Sequence, residues 1–188
     1  MVPVMNFCSY CGASVEKRVP ENDNRWRYVC THCHRIHYEN PNIVAGCLLA
    51  SEGRVLLCKR AIEPRKGLWT LPAGYMENGE TTCAAALRET HEEAGATALH
   101  TPGLYGLVNL PHISQVYMIF LGELANTPVA GPESMEVGLF DEGQVPWDDL
   151  AFPLVGLMLK HYFKDRRCGT FALHEEHLGP MPPRTPVT

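Results

Sequence analysis

The segment from Gly74 to Ala96 constrains this chain more than any other part of it, because it sets charged residues and glycines at fixed spacings along a predicted helix. The run Thr-Cys-Ala-Ala-Ala-Leu-Arg, which ends at Arg88, is rich in strong helix formers. Gly95 stands where a helix commonly ends in a left-handed conformation. The sequence therefore predicts a short helix over about residues 80–94. The fixed positions are Gly74, Glu80, Arg88, Glu89, Glu92, Glu93 and Gly95.

Three glutamates crowd the last turns of this predicted helix. Glu89 and Glu93 are i,i+4 neighbours and Glu92 follows Glu89 by three residues, so their carboxylates project toward one side and repel one another. The helix macrodipole adds to the cost, because the C-terminal end prefers cations. Arg88 can pair with Glu92, which leaves Glu89 and Glu93 uncompensated. A hard divalent cation with oxygen ligands would compensate them, whereas a merely solvated face would not normally place like charges at this end.

The spacing resembles the box of the Nudix hydrolases, Gly-x5-Glu-x7-Arg-Glu-U-x-Glu-Glu-x-Gly-U, in which U is a bulky aliphatic residue. Every fixed position matches. Thr90 and Ala96 are smaller than the usual residues at the U positions, which pack the helix and take no part in the chemistry. The resemblance implies an α/β fold, the α/β/α Nudix sandwich with a mixed sheet. It also implies hydrolysis of a nucleoside diphosphate linked to another group.

The same resemblance assigns roles to the box residues. It implies that Mg²⁺ or Mn²⁺ is held mainly by Glu89 and Glu93, with Glu92 binding directly or through water. A metal on the diphosphate oxygens neutralises their charge and lowers the pKa of bound water. Arg88 would orient a glutamate through a charge-assisted hydrogen bond. We expect Gly74 to allow a tight backbone turn between strand and loop.

A second pattern precedes the box. Cys8, Cys11, Cys30 and Cys33 follow the spacing C-x2-C-x18-C-x2-C, which is typical of a four-cysteine zinc site. About forty residues bury too little apolar surface to fold alone, so the metal would supply the missing stability. Four thiolates close the coordination sphere, which predicts a structural zinc ion. Two alternatives are paired redox disulfides and replacement of a cysteine ligand by a neighbouring histidine, namely His32, His34 or His37.

Composition bounds the functional classes. With 188 residues and 45% hydrophobic residues, the chain can bury one sizeable core. No apolar run approaches membrane-spanning length, and the N-terminus lacks the charged and apolar regions of a secretory signal, so we expect a soluble, cytoplasmic protein without membrane contact. The net charge of −5 disfavours a dedicated nucleic-acid binder. The expected partner is a small nucleotide substrate.

The order of predicted elements gives the domain organisation. The break at Asn40 and Pro41 separates a zinc ribbon, residues 1–40, from a Nudix domain, residues 41–165. A proline-containing tail, residues 166–188, is predicted to be extended or disordered. Apolar runs predict strands, and an apolar face predicts a closing helix. The predicted strands cover 43–50, 54–59, 103–110, 116–124 and 136–140, and the closing helix covers about 148–163.

Substrate preference rests on resemblance to two groups of ribbon-bearing Nudix enzymes. The NADH pyrophosphatases carry Ser-Gln-Pro-Trp-Pro-Phe-Pro after the box, and this chain matches only Ser114 and Gln115. The plant FAD and ADP-ribose pyrophosphatases are matched over nearly the whole chain before the tail. We therefore predict cleavage of FAD or ADP-ribose with release of AMP, and NADH is the alternative. The matching segments are 8–12, 30–33, 40–41, 55–60, 67–75, 88–90 and 131–134.

Three residues outside the box are predicted to contact substrate. Arg60 belongs to a basic cluster that can bind phosphates, Trp69 offers an aromatic face, and Glu136 or its neighbour Glu133 can add a carboxylate as metal ligand or general base. Tyr75, Tyr105 and Tyr117 are further aromatic candidates.

Two other functions stay open on the sequence alone. One is a nucleotide-sensing regulator that uses the fold only to bind, although pure binding would not need three clustered glutamates. The other is a ribbon that recruits nucleic acid or a protein partner. A homodimer is expected only by analogy with related pyrophosphatases.

Overall fold

The computed structural model describes residues 4–180. The chain divides into two compact units, residues 1–41 and residues 42–188. Three of the prolines that led to the prediction of an extended or disordered tail over residues 166–188, namely Pro182, Pro183 and Pro186, lie outside the described residues. Neither of the two helices within 4–180 combines the length and the apolar character needed to cross a membrane.

The first unit is a small antiparallel ribbon. Its strands are β1 (Val15–Arg18), β2 (Arg27–Cys30) and β3 (Ile36–His37), in the order β1-β2-β3. The turn before β2 is fixed by Asp23, whose carboxylate accepts hydrogen bonds from the backbone N–H groups of the two residues that follow it. The apolar core of this ribbon is thin, and its fully buried side chains include Val29 of β2. A unit of this size therefore needs another source of stability.

The second unit is built on a mixed sheet. Its six main strands lie in the order β10-β5-β4-β9-β8-β11. The pairs β4–β9 and β8–β11 are parallel, while β4–β5, β5–β10 and β8–β9 are antiparallel. Two short strands, β6 and β7, pair with β5 and β4. The strands are β4 (Asn42–Ser51), β5 (Arg54–Arg60), β6 (Trp69–Thr70), β7 (Ala73–Tyr75), β8 (Gly103–Leu110), β9 (Gln115–Glu123), β10 (Ser134–Phe140) and β11 (His174–His177).

Two helices, α1 (Thr82–Ala94) and α2 (Pro153–Cys168), cover opposite faces of this sheet. Successive strand residues point to opposite faces, so neighbours in β4 enter different cores. Leu48 packs in the cluster that contains Met158 of α2, whereas Leu49 packs in the cluster that contains Ala85 of α1. The predicted α/β/α sandwich with a mixed sheet is confirmed.

Both helices begin later in the sequence than predicted, and the closing helix also ends later. The box helix begins at Thr82 because the Thr81 hydroxyl accepts a hydrogen bond from the Ala84 N–H at 3.1 Å, which makes Thr81 the N-cap. It ends as predicted at Gly95, with φ of 56°. The closing helix begins at Pro153, because proline suits the first helical position and the segment Trp147–Asp149 forms a separate 3-10 turn.

The segment after residue 165 also differs from the prediction of an extended or disordered tail. Helix α2 continues to Cys168 and ends on Gly169, whose φ is 71°. Residues His174–His177 then form β11, which pairs in parallel with β8. The prolines between residues 180 and 186, on which that prediction rested, follow this part of the chain.

Candidate active site and zinc centre

Arg88 organises the box through four acceptors. Its guanidinium donates to Glu89 Oε1 at 2.6 Å, to Glu92 Oε2 at 3.2 Å and to Glu80 Oε1 at 2.7 Å, and it also reaches the Tyr75 carbonyl at 3.1 Å. These charge-assisted bonds raise the pKa of Arg88, and they lower the pKa of Glu80. The predicted pairing with Glu92 is present. The expectation that Glu89 stays uncompensated is wrong, since the same guanidinium nitrogen binds it.

Glu89 packs directly on the backbone of β7. A Cβ atom added to Gly74 would collide with the Glu89 carboxylate. The glycine is needed because the carboxylate approaches the strand closely, and the expected need for a tight turn is corrected. Burial raises the pKa of Glu89, the Arg88 hydrogen bond opposes this effect, and the negative charges of Glu92 and Glu133 raise the pKa further.

Glu93 is the most deeply buried carboxylate of the box, with 7% of its surface exposed. Its Oε2 accepts a hydrogen bond from the Ala73 N–H at 3.2 Å. Burial raises its pKa to about 7, and the charges of Glu89 and Glu133 act in the same direction, whereas Arg60 opposes them. Glu93 is therefore a carboxylate that a cation would stabilise in its ionised form.

An apolar cleft of about 340 Å³ opens beside these carboxylates. Its floor includes Ala73, which donates to Glu93, and Gly74, which contacts Glu89. Tyr75 stands at the same rim and accepts a hydrogen bond from Gln115 Nε2 at 2.8 Å. The cleft volume lies within the usual range of small-molecule sites. The other apolar lining residues include Tyr117, Phe152, Leu154 and Leu178.

The predicted substrate residues lie in different environments. Arg60 lines the cleft, where its Nε donates to the Pro64 carbonyl at 2.8 Å. Trp69 does not line it: the indole is buried in the core and packs edge-on against Phe140, with ring centroids 4.9 Å apart. This position favours a packing role. Glu136 is exposed, and its Oε2 lies 3.6 Å from Lys59 Nζ.

Glu133 and Glu136 are the two candidates for an extra carboxylate beside the box, and neither lines the cleft. Of the two, only Glu133 has a charge that raises the pKa of both Glu89 and Glu93. Glu133 is held just before β10 by a hydrogen bond from the Ala61 N–H to its carbonyl at 2.8 Å. Of the two carboxylates that the sequence suggested, the electrostatics favour Glu133.

The four predicted zinc ligands meet in the first unit. Their sulfur atoms all lie within 4.8 Å of one another, with Cys8 Sγ 3.8 Å from Cys33 Sγ and Cys11 Sγ 3.4 Å from Cys30 Sγ. Tetrahedral zinc with Zn–S bonds of about 2.3 Å requires S···S distances of about 3.8 Å. All eight cysteines are free thiols. The arrangement fits a structural zinc ion.

Backbone donors support the thiolate form at this cluster. The N–H groups of Cys33 and His32 point to Cys30 Sγ at 3.3 and 3.4 Å. The hydrogen bond from Cys33 is the main reason that the pKa of Cys30 is lowered to about 6. A thiolate is the form that binds metal.

Comparison with known proteins decides the family. A zinc-ribbon model described as "Nudix N-terminal" matches residues 6–39, and the NUDIX domain model matches residues 40–161. The chain belongs to the Nudix hydrolase family. A crystal structure of a NUDIX hydrolase from Nitrosomonas europaea is 48% identical, with a TM-score of 0.90 over 94% of this chain and 100% of that chain.

More distant Nudix relatives are named after specific activities. The NAD-capped RNA hydrolase NudC of Salmonella heidelberg strain SL476 is 34% identical over 91 residues, which cover 47% of this chain. The match spans 33% of that relative's length. A bifunctional NMN adenylyltransferase/ADP ribose pyrophosphatase from Francisella tularensis, complexed with AMP and a Mn ion, has a TM-score of 0.56 at 19% identity over 66% of this chain and 43% of that chain. This last likeness concerns the fold alone.

Nudix hydrolases use divalent metals, and the box offers oxygen ligands of the kind that such metals prefer. Within residues 4–180, the four sulfurs are the only set of three or more potential ligand atoms that all lie within 4.8 Å of one another. The box carboxylates are spread more widely, because Glu89 and Glu92 bind Arg88 while Glu93 faces the Ala73 N–H. For these carboxylates to share one ion, their oxygen atoms would have to approach one another more closely.

The raised pKa of Glu93 predicts a measurable pH dependence in protein that carries no Mg²⁺ or Mn²⁺. A glutamate in the unfolded chain loses its proton at about pH 4.3, but native Glu93 keeps its proton up to about pH 7. Between these values the native state binds more protons, so stability falls as pH rises. Glu93→Gln removes this slope. We expect its stability advantage over wild type to grow by on the order of 2 kcal/mol from about pH 5 to about pH 8.

Urea unfolding of the second unit, in buffer that leaves the ribbon zinc in place, measures this difference. The exposed residue Glu123 provides a matched control, since Glu123→Gln removes a carboxylate of the same length from a solvated site. A pH slope in Glu93→Gln equal to that of wild type would contradict the assignment of a buried, protonated Glu93.

Proposed function

We propose that this Nudix hydrolase cleaves the diphosphate bond of FAD or ADP-ribose, with release of AMP and either FMN or ribose 5-phosphate. The observation that carries the proposal is the junction at Ala73 and Gly74, where the floor of the apolar cleft meets the carboxylates of Glu89 and Glu93. A ligand lying in the cleft would present its diphosphate to these groups. Mg²⁺ or Mn²⁺ is the proposed ion.

The box and the cleft divide the work of this reaction. Glu89 and Glu93 would hold the metal, and Glu92 would complete its shell directly or through water. When bound, the metal neutralises charge on the diphosphate and lowers the pKa of bound water. Arg88 fixes the orientation of Glu89.

The hydrolytic step needs a phosphate contact and a proton acceptor. Arg60 lines the cleft beside Glu93 and would bind a phosphate oxygen. Glu133 would take the proton as the water oxygen bonds to phosphorus and the bridging P–O bond breaks. The leaving phosphate keeps the bridging oxygen, so the products are two monophosphates.

The lining of the cleft supports a substrate with a planar ring. Tyr117 and Phe152 place aromatic rings in the wall, and Tyr75 stands more than half exposed at the rim. Aromatic faces of this kind bind nucleobases and isoalloxazine by stacking. One protein that shares this fold, from Francisella tularensis, is named as an ADP ribose pyrophosphatase.

NADH is the second candidate, because the Salmonella relatives are named as NAD-capped RNA hydrolases. Against it, Ser114 and Gln115 are followed in this chain by the strand residues of β9 and not by the Pro-Trp-Pro-Phe-Pro sequence of the NADH enzymes. Gln115 also donates a hydrogen bond to the Tyr75 hydroxyl, so the two side chains hold each other in place at the cleft.

Parallel assays of AMP release from FAD, ADP-ribose and NADH test the proposal. Each substrate is supplied with Mg²⁺ or Mn²⁺, and each reaction is repeated without either metal. We expect metal-dependent release of AMP, with FAD or ADP-ribose cleaved faster than NADH. Faster cleavage of NADH would transfer the assignment to the second candidate. No cleavage of any of the three would overturn the proposed substrates and favour a nucleotide-sensing role.

A further inference from the structure

The C-terminal segment supplies part of the cleft wall. Leu178 and Gly179 line the cleft although they follow the box by more than eighty positions in the sequence. Leu178 is half-buried, packs against the main core cluster, and donates its N–H to the Asn109 carbonyl at 3.0 Å. Strand β11 therefore carries an apolar side chain to the cleft from the edge of the sheet.

A set of polar contacts, here named the clasp, fixes β11 against α2 and β8. The clasp comprises His161 and Asp165 of α2, His174 and Glu176 of β11, and Tyr105 of β8. His161 Nε2 lies 2.7 Å from Glu176 Oε1, and His174 Nε2 lies 2.7 Å from Asp165 Oδ2. The Tyr105 hydroxyl donates to the same Asp165 oxygen at 3.0 Å. The two imidazole rings stack, with centroids 3.9 Å apart.

Burying the charged groups of the clasp costs free energy. This cost would not be needed if β11 served only to cover the edge of the sheet. Asp165 is 8% exposed, and its burial opposes ionisation. The hydrogen bonds from His174 and Tyr105 more than offset this effect and lower the pKa of Asp165. Such satisfied polar networks define one geometry for the segments that they join. Here they define the position of a four-residue strand and of the leucine that follows it.

We propose that Leu178 is a specificity-determining residue of the cleft and that the clasp positions it. Its side chain would contact the planar ring system carried at one end of the substrate. This inference rests on the proposed function, because it takes the cleft as the substrate site. The ring can come from either half of the substrate, adenine or isoalloxazine.

Binding of the two product halves tests this assignment without any need for turnover. AMP binding is measured by calorimetry and FMN binding by its fluorescence, for wild type, Leu178→Ala and the control Leu173→Ala. Leu173 lies in the same segment, is exposed and does not line the cleft. We expect Leu178→Ala to weaken binding of one probe by about fivefold to tenfold, because apolar contact area is lost. The other probe and the Leu173 variant should stay within about twofold of wild type.

Several outcomes would overturn the inference. They are equal affinities in wild type and Leu178→Ala, equal weakening of both probes, and no binding of either probe to wild type. The last result, together with no hydrolysis, would also remove the proposed function. Weakened binding of one probe without hydrolysis would uphold the role of Leu178 and remove only the proposed reaction.

A double-mutant cycle tests the positioning role of the clasp. His174→Ala should weaken the same probe by a similar factor, and adding it to Leu178→Ala should cause no further loss, because both changes remove one contact. In hydrolysis the change should fall on KM and leave kcat unaltered. His177→Ala is the control, since His177 is exposed on the same strand. Additive losses of affinity would show that His174 affects binding independently of Leu178, and no loss of affinity in His174→Ala would show that the clasp acts on stability alone. Either result would overturn the positioning role of the clasp.

Discussion

Glu93→Gln is expected to lower kcat of the metal-dependent hydrolysis by more than about a hundredfold. Changes to outer-shell partners of a metal already cost about 10-fold to 100-fold, and loss of a proposed direct ligand should cost more. The glutamine amide occupies nearly the same volume, and its oxygen can still accept the Ala73 hydrogen bond. The substitution therefore removes the charge and little else. Initial rates of AMP release at saturating substrate and metal measure the effect.

Two comparisons make this result specific to the box. Glu123→Gln, the exposed control introduced above, should retain wild-type rates. The stability measurement gives the second comparison. At about pH 8 Glu93→Gln should be more stable than wild type, because ionisation of native Glu93 lowers the free energy of unfolding of wild type. An inactive but more stable variant is the signature of a site that sacrifices stability for function. Substantial activity in Glu93→Gln would exclude Glu93 as a metal ligand.

The parts of the site that the sequence predicts are those set by local spacing. The positions of Glu89 and Glu93 on one side of a helix follow from the i,i+4 relation. The cysteine pairs form tight turns whose two-residue spacing is itself the metal-binding signal. The sandwich could also be anticipated, since most predicted strands match those observed within one or two residues. Each of these features depends on residues that are close in sequence.

The contacts that the sequence does not predict join segments far apart in the chain. The closeness of Gly74 to Glu89 depends on how β7 lies against α1, and the burial of Trp69 depends on its pairing with Phe140. Neither can be read from a hydrophobic pattern, which gives the face of a strand but not its neighbour. Leu178 is the clearest example. It follows β11, whose charged, histidine-rich sequence does not predict a strand, and the side-chain partners of β11 lie on α2.

Cys30→Ser is expected to unfold the ribbon while the second unit stays folded. Zinc binding in small zinc-dependent domains is worth roughly 10–16 kcal/mol at neutral pH, and this binding energy is also their folding energy. Cys30, at the end of β2, is one of the two buried cysteines among the four expected ligands, and the N–H groups of Cys33 and His32 support its thiolate form. A serine hydroxyl cannot replace a thiolate as a zinc ligand at neutral pH. Within residues 4–41, the buried apolar side chains outside the ligand set are Pro20 and Val29, and this burial is too small to hold three short strands.

Zinc content and hydrogen exchange measure the two consequences separately. Wild type should bind about one zinc ion per chain, and Cys30→Ser should lose it. Amide protection in β1, β2 and β3 should then fall to that of an unfolded peptide, while protection in β4 and β9 stays unchanged. Cys168→Ser is the matched control, because Cys168 is an exposed free thiol outside the ligand set. Because the box and the residues that line the cleft all belong to the second unit, AMP release should persist in Cys30→Ser. Protected ribbon amides in zinc-free protein would mean that the ribbon folds on its apolar contacts, and the four sulfurs would then need another explanation for their convergence within 4.8 Å.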